Sequence, residues 1–174
     1  ALSRVPTDET EFGPSRSDLA SIRPAAPHLV VASIAALAAG VPYGIVSELL
    51  GGSVAGIGIF YGTVDPVIGW LTHEFHSIVF GFMYVGVLPF ALERYQNNTW
   101  TYVAIGIIWS IVVWIIAASF IAPVWLQLLG ISASIPNFSL RLLTSHLVWG
   151  SSLGFLTALG YTYVIPRLVE VCQR

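Results

Sequence analysis

The chain contains no lysine, a single cysteine and a single methionine, and charged residues occupy only 9% of its 174 positions. Each scarcity excludes something. One thiol, Cys172, cannot form an internal disulfide. A net charge of -2 without any basic run leaves no electrostatic footprint for nucleic acid. No glycine-rich phosphate cradle opens a helix, no serine sits in a nucleophile elbow and no apolar stretch holds paired carboxylates, so the sequence predicts no enzyme.

Ordinary soluble domains carry about 25% charged residues. Here the few charges accompany 56% hydrophobic residues and a mean hydropathy of +0.80, and water is the wrong solvent for most of the chain. The charges are also clustered. Arg4, Asp8, Glu9, Glu11, Arg16, Asp18 and Arg23 all fall within residues 1–27, which predicts a polar cytoplasmic tail ahead of a membrane body. That tail has four acids, four prolines and no apolar run, unlike a secretory signal.

Four windows are long and apolar enough to span a bilayer: 28–50, 70–92, 101–123 and 143–165. Each has 23 residues, about 34 Å of helix at a rise of about 1.5 Å per residue. Arginines concentrate in the tail, at Arg94 and at Arg167 and Arg174, against Arg141 alone on the other side. The positive-inside rule then predicts a multi-pass protein of the cell membrane with both termini cytoplasmic.

The two halves match at an offset of 73 residues. His73 with Gly81-Phe82 is echoed by His146 with Gly154-Phe155, and the predicted helix starts differ by the same 73. Residues 28–98 and 99–174 are therefore expected to be two copies of a two-helix unit. Two spans per copy preserve orientation, so the copies should be related by a pseudo-two-fold axis along the membrane normal. The expected fold is an all-α integral membrane bundle of four transmembrane helices.

The connections at 51–69 and 124–139 are too apolar for free loops. Backbone amides facing lipid cannot stay unpaired, which predicts short interfacial elements packed on protein, or caps over the bundle mouth.

Small residues recur every four positions: Ala32, Ala36, Gly40 and Gly44 in the first helix, Ser77 and Gly81 in the second, and Gly150, Gly154 and Ala158 in the fourth. In lipid such rows mark close helix contact. Extending the second and fourth rows by one step reaches His73 and His146, so both imidazoles should point into the bundle. The third helix, with Trp109, Trp114 and neighbouring β-branched residues, looks turned toward lipid or a partner.

Three readings of this pair compete. The histidines can simply hydrogen-bond backbone carbonyls and glue helices. They can be axial ligands of a haem b, two imidazoles across a two-fold suiting octahedral iron. Or His73, His76 and His146 with Glu74 can hold a transition metal. His-Glu-Phe-His at 73–76 is one residue too short between its histidines for the metalloprotease signature.

At these repeats, particularly Leu143-Thr144-Ser145-His146-Leu147-Val148-Trp149-Gly150, the chain resembles the small uncharacterised four-helix membrane proteins of salt-loving archaea. That resemblance implies fold and localisation and carries over no functional residues. The expected function is a non-catalytic accessory or structural subunit of a membrane complex, in contact with the lipid bilayer and with other membrane subunits or further copies of itself. A haem- or metal-binding electron-transfer module using His73 and His146, and a small transporter or channel, are the alternatives.

Overall fold

The computed structural model describes residues 25–92 and 98–172, with backbone only at 25–26, 90–92 and 171–172. The predicted tail with Arg4, Arg16 and Arg23, and also Arg94 and Arg174, lie outside the described residues. Four long helical runs account for most of the remainder: α1 (Ala25–Leu49), α2 (Pro66–Leu92), α3 (Thr99–Leu128) and α4 (Leu140–Glu170). No strand occurs among the described residues.

Among the described residues, three of these runs contain stretches long and apolar enough to cross a membrane: Pro27–Leu49, Thr99–Leu128 and Leu140–Glu170. The fourth, α2, has 27 residues and carries His73, Glu74 and His76.

Local chemistry explains the helix starts. Before α2, Asp65 Oδ1 accepts the amides of Val67 (2.8 Å) and Ile68 (3.0 Å), and Pro66 occupies the first turn, where its missing N–H costs nothing. Asn98 caps α3 through the Trp100 amide, and Ser139 caps α4 through that of Leu142.

The helices run past their expected ends. Pro123, where the third predicted window ends, and Pro166, just past the fourth, lie inside α3 and α4, each just after a π-helical stretch, Trp114–Ile121 and Gly160–Val164. At Pro123 the reason is visible. Proline offers no N–H to the carbonyl four residues earlier, and the freed Ser119 carbonyl instead accepts the amide of Asn137 at 2.9 Å. The Ser119 hydroxyl meanwhile donates to Trp114 O, five residues back, at 2.9 Å.

Consecutive helices alternate in direction. His28 meets Tyr161 edge to face, and the Tyr84 hydroxyl donates to Tyr102 O, gathering one end of all four. At the other end the first connection forms a 3-10 helix, Ala55–Tyr61, whose amide at Val54 is bound by Glu48 Oε1 at 2.6 Å. Val54 is fully buried, as the apolar character of this connection led one to expect. Arg141 reaches back to the carbonyls of Leu50 and Gly51, not to Asp65 or Glu74.

The small-residue rows are the helix seams. A side chain on Gly81 would strike Ala36, and one on Gly150 would strike the Gly106 carbonyl and Ser110. Packing around the bundle is nevertheless unequal. The α4 helix packs closely against both α3 and α1, and α1 against α2, whereas α2 and α3 barely touch. A true two-fold axis relating 28–98 to 99–174 would make the α1–α4 and α2–α3 contacts equivalent. They are not, and the gap between α2 and α3 is where the molecule opens.

Candidate functional site: a cavity between α2 and α3

A cavity of about 450 Å³ occupies this gap. The α2 helix contributes His73, His76, Ser77 and Phe80, and α3 contributes Val113, Ala117, Ala118, Ile121 and Pro123. Its inner wall is Tyr43 of α1 with His146 and Trp149 of α4. Both apolar connections cover one end, through Phe60 and Tyr61 of the 3-10 helix and through Ala133 and Asn137. The size lies in the ordinary range for small-molecule sites, about 300–1,000 Å³.

His73 and His146 are both buried, as the four-residue spacing led one to expect. Tyr43 touches both, stacked on His73 at 4.6 Å between centroids and edge-on to His146 at 5.1 Å. His73 Nε2 donates to Gly40 O at 2.9 Å, and His146 Nδ1 donates to Leu142 O at 2.7 Å. A carbonyl can only accept, so these contacts assign the ring protons. In an uncharged imidazole the other nitrogen, His73 Nδ1 or His146 Nε2, is then a bare acceptor.

Each imidazole thus has one nitrogen held by a carbonyl and one left bare, which is the form in which a histidine can ligate a metal. The wider set does not converge. His76 Nε2 is paired with the Tyr61 hydroxyl at 3.2 Å. Glu74 turns the other way, its carboxylate filling the space beside Gly40 of α1 with no hydrogen-bond partner for either oxygen. Among the described residues no three histidine, cysteine or acidic side chains are grouped to hold a metal ion.

Polar groups on the cavity wall are tied into a chain. Trp149 Nε1 donates to Ser77 Oγ at 2.7 Å, and Ser77 Oγ donates to Ala36 O at 2.6 Å, joining α4, α2 and α1. Two further tryptophans bridge the weak seam. Trp109 Nε1 of α3 donates to Phe80 O of α2 at 3.0 Å, and Trp125 Nε1 donates to Phe60 O of the covering 3-10 helix at 3.1 Å. Between these two ties α3 presents the alanines of its π stretch. The exposed members of the lining are Ile121 and Trp125 of α3 with Ser53, Tyr61 and Asn137 of the connections.

Tyr43, Trp149 and Asn137 escaped the sequence reading. For Tyr43 a signal exists, because Ala35, Ala39 and Tyr43 form a second four-residue row beside the first, all of them buried. No protein-family model, curated protein or solved structure matches the chain.

Proposed function

We propose that this is a four-span membrane protein whose task is to bind a small, bilayer-soluble molecule in the cavity between α2 and α3, without catalysing its conversion. The observation that carries this reading is the cavity itself. It is mostly apolar, covered at one end by both connections, and it lies where close helix packing would otherwise be expected. On this reading the chain derives from duplication of a two-helix unit, and the packing at the seams is in keeping with that origin. Ser77 packs against Ala36 in one half and Gly150 against Ser110 in the other, nearly the same 73-residue offset on both sides of the seam. The second copy would have kept the seam and the buried histidine while the α2–α3 contact was given up.

On this reading the outward faces, with exposed Leu37, Val41, Ile45 and Ile108, meet lipid, other membrane subunits or further copies of the chain. The test is extraction of the protein in native-lipid nanodiscs and mass spectrometry of what accompanies it. A specific small molecule should be enriched with the wild-type protein and lost from Ala118→Trp, which fills the cavity. Equal lipid profiles for the two would contradict the proposal.

A further inference from the structure

From the hydrogen-bond polarity of this cavity we infer that its occupant is a phenol-type molecule, a hydroxylated aromatic ring with an apolar tail, which enters from the bilayer between α2 and α3. The inference rests on the binding function proposed above and specifies its ligand.

The first step is the inventory of free polar atoms on the wall. His73 and His146 each have their single N–H committed to a carbonyl, so the nitrogens that remain, His73 Nδ1 and His146 Nε2, accept and cannot donate. Ser77 is spent in both senses, donating to Ala36 O and accepting from Trp149. The two imidazoles therefore offer acceptors only, while the hydroxyl of Tyr43, also on the wall, can donate or accept. A ligand that only accepts, such as an ether or ester, leaves both imidazole nitrogens without a donor. A hydroxyl would find a nitrogen to donate to, and an unmatched polar group in such a place costs about 1–3 kcal/mol.

The second step concerns shape. Tyr43, Trp149, Phe60 and Phe80 all line the cavity. Aromatic side chains pair favourably with a flat ring, offset or edge to face, beyond the simple burial of area. A ring at the depth of Tyr43 would bring its hydroxyl to the histidines.

The third step concerns entry. The α2–α3 seam is the loosest in the bundle and is crossed by the Trp109–Phe80 and Trp125–Phe60 hydrogen bonds. Between them α3 lines the cavity with the small side chains of Ala117, Ala118 and Ala122 beside Val113, Ile121 and Pro123. A molecule dissolved in the membrane can slip past the alanines of this window.

The experiment uses a matched pair, hexylphenol and its methyl ether hexylanisole, titrated by calorimetry against the full chain in nanodiscs. The phenol should bind at least about tenfold more tightly, the factor for about 1.4 kcal/mol of hydrogen bonding. Replacing His146 with Phe should reduce that preference to less than about threefold while binding of the ether persists. Equal binding of the two probes, both lost in Ala118→Trp, would overturn the donor assignment and leave the cavity function standing. Tighter binding of the ether would overturn the donor assignment as well. Binding of neither, or binding that Ala118→Trp does not alter, would overturn both this inference and the function it rests on.

Discussion

Trp149 and Ser77 join the two halves of the molecule on the cavity wall: the indole N–H of α4 donates to the hydroxyl of α2 at 2.7 Å, and the hydroxyl donates in turn to the Ala36 carbonyl of α1. Three helices thus meet at one oxygen, on the side of the cavity away from the α2–α3 gap. The bundle stays closed there although α2 and α3 hardly touch.

Ser77→Ala should accordingly cost more than the loss of one hydroxyl. It leaves the Trp149 N–H buried without its acceptor, a penalty of about 1–3 kcal/mol, while the Ala36 carbonyl keeps its bond within α1. Ser151→Ala, which removes a hydroxyl bonded only within its own helix, should cost under about 0.6 kcal/mol. Unfolding titrations in mixed micelles would compare the two, and equal losses would contradict the three-helix junction.

Gly150 and Gly86 should respond to alanine in opposite ways. A methyl group on Gly150 meets the Gly106 carbonyl and Ser110, so the α3–α4 seam must spread, at about 1–3 kcal/mol or more. Gly86 has open space around the same position, and alanine there should be neutral or stabilising by up to about 1 kcal/mol. The same unfolding assay decides, and a Gly150→Ala variant as stable as wild type would refute the seam.

Pro123→Ala supplies an amide that can occupy the Ser119 carbonyl, the acceptor now used by Asn137. Hydrogen exchange at the Asn137 amide should quicken, and the connection at 129–139 should loosen. Unchanged protection would show that the proline is not what frees that carbonyl.

Trp125→Phe removes the tie between α3 and the 3-10 helix while leaving an aromatic ring in place. Because that bond is exposed, global stability should change by less than about 1 kcal/mol, with faster exchange confined to 55–62. Loss of protection throughout the bundle would contradict so local a role.

The features that could be read from the sequence were those set by a repeat along one helix. Four-residue spacing located the seams, and it placed His73 and His146 inside because helical periodicity dictates which residues share a face. Run length alone gave four windows, and three of them coincide with helices apolar enough to span among the described residues. What escaped depended on relations between helices. No spacing shows that α2 and α3 part, so the cavity was hidden, and so was the Tyr43 ring that touches both histidines. The third window was ended at Pro123, but the helix continues because a preceding π stretch and the Asn137 amide absorb the missing hydrogen bond, and neither is written in the local sequence.

The account turns on the space between α2 and α3 being a site reached from the bilayer. Photolabelling in nanodiscs with a diazirine-bearing alkylphenol, followed by peptide mapping, tests this most directly. Labels should concentrate on His76, Ala117, Ala118 and Trp149 and be suppressed by excess hexylphenol. Labels spread over the lipid-facing residues Leu37, Val41 and Ile108, with no suppression, would show that the gap is not a binding site.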